Sequence, residues 1–284
     1  MTQSKSRTPR GTILAVTSGK GGVGKTNVVI NLASALSRLG HRVGIIDADF
    51  GLGNVDVLLG LTPDYHVGHV LAGEKTIGEI TLKGPLGVKI IPAGSGIREL
   101  TALNALQWRR FHKIIQAVSA DLDFLLIDTA AGVSDNVVEL LQLAARVLVV
   151  TSYDPAAIVD AYAVIKILTT TARKKEIGIV VNAARDADEA GLVFRQLDIA
   201  AGKFLDRSLR FDGYVVADPA VREAVLGQRP IVDHLPQSPA SRCFRILASR
   251  LAGYTPDGGA SRRTGSQSPV MSARALSLEA TRCA

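Results

Sequence analysis

The run Gly19-Lys-Gly-Gly-Val-Gly-Lys-Thr26 constrains this chain more than any other stretch. It has the spacing of Gly, four residues, then Gly-Lys-Thr, which is a loop built to wrap phosphate. Its glycines permit backbone angles that turn successive N–H groups inward and let an anion approach closely. A β-branched run at 12–17 precedes it, and a helical apolar period follows at 27–39, with Gly40 where a helix stop belongs. The positive end of that helix points at the same spot. In this arrangement Lys25 reaches the β- and γ-phosphate oxygens of a nucleoside triphosphate, and the Thr26 hydroxyl is placed to ligate Mg²⁺.

The rest of the chain repeats the strand–helix alternation. Strands are expected at 42–47, 88–92, 124–128, 147–151 and 177–182, and near either 209–211 or 214–216. Helical periods fall at 103–120, 136–145, 156–171, 188–204, 219–226 and 241–251. This pattern predicts an α/β fold: a single P-loop NTPase domain with a mostly parallel twisted sheet and helices on both faces. Residues 11–253 form the expected domain, after a flexible basic segment at 1–10. After about Tyr254 the chain turns to Gly, Ser, Pro and Arg, so 254–284 is expected to be a disordered tail.

Three aspartates complete the constellation. Asp47 and Asp49 follow an apolar strand at i and i+2, so they leave one face of the chain together. They would stand beside the phosphate loop if the second strand were adjacent to the first. Asp128 ends Phe124-Leu-Leu-Ile-Asp128, the position of a Walker B aspartate that holds Mg²⁺ through a water. An aspartate at a strand end is often only a turn former; three around one loop favour a shared nucleotide role.

Composition excludes several alternatives. The two cysteines, Cys243 and Cys283, have no metal-ligand spacing, which argues against a disulfide scaffold, a zinc ribbon or a bridging iron–sulfur cluster. No apolar run reaches the roughly 20 residues that span a bilayer, and 1–10 lacks the apolar core of a secretory signal, so a cytoplasmic protein is expected. The net charge of +7 would suit weak association with nucleic acid or anionic lipid. Much of it, however, sits in the two tails, at Lys5, Arg7, Arg10, Arg262, Arg263, Arg274 and Arg282, and solvated tails are the preferred reading.

Lys20-Gly-Gly-Val-Gly-Lys-Thr26 resembles the deviant Walker A motif of the MinD/ParA family of dimerising ATPases, and the likeness runs from about Ile13 to Leu251. It implies ATP with Mg²⁺ and a homodimer in the ATP state, in which the early lysine, Lys20, reaches across to the partner's phosphates. It implies that Asp49 polarises the attacking water, that Asp47 is its companion near the metal, and that Asp128-Thr-Ala-Ala-Gly132 is switch II. Ala131 departs from the glycine-rich pair common there. Nucleotide contacts are then expected from Gly19, Gly21, Gly22, Val23, Gly24, Lys25, Thr26 and Asn27, with Asn182 and Asp218 on the adenine side. Stretches that phosphate chemistry does not demand, 44–63, 84–96 and 160–166, are similar to the branch that regulates flagellar number and placement. That likeness implies a protein partner in flagellar regulation or assembly. Many members of that branch carry an N-terminal Asp-Gln-Ala helix that activates a partner GTPase, and 1–10 has none. The family also often ends in a basic amphipathic membrane helix, whereas 268–284 has few basic residues and little apolar bulk. A peripheral membrane contact therefore stays open.

Other features have ordinary readings. His66 and His69 are spaced like a metal pair without a third ligand, so a polar loop is preferred. Arg109, Arg110, His112 and Lys113 are better read as a solvated helix face than as a DNA-binding patch. Trp108 is read as part of the core. A partition ATPase that tracks on DNA and a division-site ATPase at the membrane remain the alternatives to a flagellar regulator.

Overall fold

The computed structural model describes residues 11–94, 103–172 and 175–253. The segments 1–10 and 254–284, expected as flexible ends, lie outside the described residues. Strand β1 (Thr12–Thr17) runs into the phosphate loop, and helix α1 (Lys25–Arg38) leaves it. Then come β2 (Val43–Ala48), the short helices α2 (Val55–Leu58), α3 (Val67–Ala72) and α4 (Ile77–Ile80), β3 (Leu82–Lys83) and β4 (Lys89–Ile91). Helix α5 (Ala105–Ala120), β5 (Phe124–Thr129), α6 (Asp135–Leu143), β6 (Arg146–Thr151) and α7 (Pro155–Thr171) follow. The chain continues through β7 (Glu176–Ala184), α8 (Ala187–Leu205), β8 (Arg210–Val216), α9 (Pro219–Leu226), α10 (Ile231–His234) and α11 (Pro239–Ala252).

The eight strands form one sheet in the order β3-β4-β2-β5-β1-β6-β7-β8, parallel except for β3 against β4. Every residue of β2, β5 and β6 is buried. Because successive side chains point to opposite faces, this requires cover on both, as the near-continuous Val, Ile and Leu runs foretell. Helices α1, α10 and α11 pack together as one group, and α6, α7 and α8 as a row.

The sheet order decides the condition left open in the sequence: β2 is not adjacent to β1, because β5 lies between them. Asp128 therefore stands between the strand that leads into the phosphate loop and the strand that carries Asp47. The two alternatives for the last strand are one strand. Phe211 pairs with Ile179 and Gly213 with Val180, so Asp212 is the extra residue of a bulge, and Gly213 takes φ 141° there. Asp212 and Arg146 form a fully buried ion pair across β7, over Gly178, where a Cβ would collide with the carboxylate.

The histidine pair caps α3. His66 Nδ1 accepts the Gly68 N–H and His69 Nδ1 accepts the His66 N–H, so both rings serve the backbone. Trp108 packs against the core with its edge near Phe111. Arg109, Arg110 and Lys113 are exposed, Arg110 donating to the Leu71 carbonyl. Among the described residues no helix is long and apolar enough to cross a membrane.

Candidate nucleotide site

Three neighbouring strands, β1, β5 and β2, end side by side, and the loops leaving them build one cleft of about 560 Å³. Its walls include Gly21, Gly22, Gly24, Lys25, Thr26 and Asn27 from the phosphate loop, Asp49 and Asn54 after β2, and Ala130 and Ala131 after β5. Gly22 and Gly24 take φ of 80° and 85°, which side-chain-bearing residues rarely adopt. Gly24 is also the N-cap of α1. No side chain caps that end and no acid sits in its first turn, so the helix presents open N–H groups and its positive end to the cleft. Helix α1 begins at Lys25, two residues before the apolar period that marks it in the sequence, so Lys25 and Thr26 are fixed on its first turn.

Gly19 has a different reason to be glycine. A Cβ there would overlap the Asp160 carbonyl group of α7, so it lets that helix pack against the loop. Val23 is held by its carbonyl, which accepts the Asn182 amide at 2.8 Å; a Cβ on Gly24 would strike the same amide. Asn182 thus braces the loop from β7. Asp218 caps α9 through Ala220 N–H (2.9 Å) and also accepts from Ala240 N–H at the start of α11 (3.1 Å). Asn182 and Asp218 are not among the cleft-lining residues.

The electrostatics centre on Asp128 and Asp47, which face each other in register on β5 and β2 and are both buried. Lys25 pairs with Asp128 Oδ1, and its Nζ lies 3.5 Å from the Thr26 hydroxyl. Burial pushes the Asp128 carboxyl up, while Lys25 and Thr26 pull it back. Asp47 is pushed up to about 7, first by burial and then by the charge of Asp128. The buried Asp128 carboxylate and the Thr26 hydroxyl, with the charge of Asp47 behind them, form a hard-oxygen set short of positive charge, which fits a divalent cation. Among the described residues no group of three or more His, Cys, Asp or Glu could hold a metal by itself. Mg²⁺ held through one or two side chains plus phosphate oxygens asks for none.

Lys20 points away from this cluster. Its Nζ lies 2.5 Å from Asp154 Oδ2 at the start of α7, with both side chains substantially exposed. The loop after β5 is anchored by Gly132, at φ 91°, whose N–H donates to the Ser18 carbonyl at 2.8 Å. Two wall residues, Ser18 and Val225, carried no signal in the sequence. Val225 comes from α9, nearly 200 residues after the loop, and only the tertiary fold brings it there.

This fold and cleft define a P-loop NTPase. The family model described as ParA, NUBPL iron-transfer P-loop NTPase, matches residues 10–252, and the chain belongs to this ParA/MinD family. Among its relatives, Antiactivator FleN of Pseudomonas aeruginosa is 41% identical over 242 residues, 85% of this chain and 86% of that protein. Flagellum site-determining protein YlxH of Helicobacter pylori is 36% identical over 184 residues, 65% of this chain and 62% of that protein. The crystal structure of the Pyrococcus furiosus cell division ATPase MinD matches with a TM-score of 0.72 at 26% identity, covering 85% of this chain and 98% of that one.

Proposed function

We propose that this protein is an ATP-hydrolysing dimerisation switch that regulates flagellar number, placement or gene expression through a protein partner. The observation that carries the reading is the division of labour among charged groups around one cleft. Lys25 and Asp128 are buried as a pair, Asp49 stands on the wall, and Lys20 is exposed outside it. The flagellar part rests on the relatives FleN and YlxH and on the stretches shared with that branch.

In this reading the loop from Gly19 to Asn27, with Val23 braced by Asn182, takes the phosphates of ATP on its N–H groups and on Lys25. Asn182 and Asp218 are assigned to the adenine side. Thr26 and Asp128, with Asp47 behind, would hold Mg²⁺, which neutralises charge on the β- and γ-oxygens. Asp49 orients a water for in-line attack, and Lys20 leaves Asp154 to reach the partner's phosphates in a homodimer. Loss of the γ-phosphate relaxes both switches and separates the subunits.

The test is the light-scattering mass of wild type and Asp49→Ala with ADP and with ATP–Mg²⁺. The expected result is a monomer with ADP and a dimer with ATP, persistent in Asp49→Ala, whose hydrolysis is lost. An unchanged mass despite confirmed ATP binding would refute the switch. The match to the cell division ATPase MinD favours a second reading, division-site positioning, which we would place at a membrane. ATP-dependent sedimentation with anionic vesicles would favour it, and ATP-dependent, steeply salt-sensitive DNA binding would favour partition instead.

A further inference from the structure

Asp47 is 2% exposed and is absent from the cleft wall, yet each of its carboxylate oxygens is engaged by the loop that carries Asp49. Oδ1 accepts the N–H of Asp49 and Oδ2 accepts the N–H of Val55, each at 3.1 Å. Those two residues bracket the loop: Asp49 opens it just beyond β2, and Val55, fully buried, is the first residue of α2. One side chain thus ties both ends of a seven-residue span, 49–55, to the middle of the sheet. The loop is folded down onto this carboxylate. At Gly53 a Cβ would lie 2.8 Å from Asp47 Oδ2 and 3.0 Å from the Asp49 carbonyl oxygen. Within the loop, Asp49 Oδ1 accepts the Leu52 N–H at 3.0 Å, so the direction of the Asp49 side chain follows the path of the loop backbone.

We infer that Asp47 is the positioning residue for Asp49: it fixes switch I in the shape that presents Asp49 to the cleft, and is not itself a cation ligand. The inference rests on the reading of Asp49 as the group that orients the attacking water. It also gives a role to Gly53, which only a residue without a side chain can fill under this clamp.

The experiment uses the full chain and compares Asp47→Asn, Gly53→Ala and Asp49→Ala for kcat, the KM for ATP, the Mg²⁺ concentration of half-maximal rate, and amide hydrogen exchange in 49–55. Asp47→Asn keeps the size of the side chain and one acceptor oxygen but turns an NH₂ toward a backbone N–H. Gly53→Ala leaves Asp47 intact and pushes the loop off it. Both are expected to lower kcat by about tenfold or more, with the KM for ATP and the Mg²⁺ requirement within about threefold of wild type. Both should also speed exchange across 49–55. A rise of about tenfold or more in the Mg²⁺ requirement of Asp47→Asn, with exchange unchanged, would make Asp47 a metal ligand and overturn the inference. A normal kcat in Gly53→Ala would also overturn it. Asp49→Ala separates the two levels: if it hydrolyses ATP at the wild-type rate, the water-orienting assignment fails, whatever the other two variants do.

Discussion

At the scale of single residues, the pair between Lys20 and Asp154 holds the signature lysine within its own subunit. Both side chains are about two-fifths exposed, at 39% and 45%. The Lys20 hydrogen bond holds the Asp154 carboxyl below the usual carboxylate range, helped by the Ala156 N–H. Pairs this exposed are weak, so the contact can be given up if the proposed dimer forms. Asp154→Asn keeps an acceptor for Ala156 while removing the charge. If Lys20 crosses in the dimer, that variant should dimerise with ATP at up to about 30-fold lower protein concentration, because each of the two subunits would otherwise have to release a pair. Sedimentation across a concentration series would read the change, and weaker dimerisation would place the pair inside the dimer rather than against it. The lysine itself was plain in the sequence as part of the loop motif. Its partner in this structure was not, since 134 positions separate the two.

At the scale of elements, the strands and long helices could be read from periodicity, and the short pieces could not. Helices α2, α3, α4 and α10 span four to six residues, too few for an apolar period to repeat. In α3 and α4 a capping box fixes the start instead. Helix α4 shows this in full: Thr76 Oγ1 accepts the Glu79 N–H, and Glu79 Oε2 accepts the Thr76 N–H at 2.8 Å. That reciprocal bond, with the Thr76 hydroxyl and Lys75, holds the Glu79 carboxyl at about 2. A carboxyl lowered on folding stabilises the folded state fully above its ordinary value near 4.5, and that contribution is lost as pH falls through about 2. Carboxyl NMR should therefore show Glu79 titrating near 2, with Thr76→Ala moving the midpoint part of the way back. A midpoint near 4.5 in the wild type would mean that the cap is open in solution. The sequence motif Thr-x-x-Glu was available for this cap, but without a long helix after it nothing marked it out.

At the scale of the whole molecule, the sheet is tied across three strands by a charge pair at its far end. Arg146 on β6 and Asp212 on β8 are 0% and 1% exposed and meet over Gly178 of β7. Burial pushes the Asp212 carboxyl up, while Arg146 and Arg210 draw it down. Arg146→Met leaves that acid without its main partner inside the protein, and a cost of about 3–5 kcal/mol is expected, seen as a Tm lowered by roughly 10 °C. Replacing both residues, as Arg146→Met with Asp212→Leu, should recover most of the loss, because the penalty lies in the unpaired charge. A single variant with unchanged Tm would show the pair to be dispensable. Sequence pattern carried the α/β class, the parallel sheet and the position of the phosphate loop, because each is written in local spacing. It did not carry the order of the strands or the reach of Val225 into the cleft, because long-range packing decides both. The neighbour of β2, left as a condition in the sequence, belongs to that gap.

The placement of β5 between β1 and β2 has a consequence for the order in which a growing chain can acquire its chemistry. When the ribosome has released the first hundred residues, the phosphate loop and the Asp49 loop have both emerged. The strand that must slide between them, and that brings Asp128 to Lys25, has not. A nascent chain that sealed β1 against β2 would have to reopen before it could mature. Nucleotide binding should therefore switch on late in synthesis, only after β5 has left the exit tunnel, so that a bound nucleotide would act as a seal on a completed sheet rather than as a template for it.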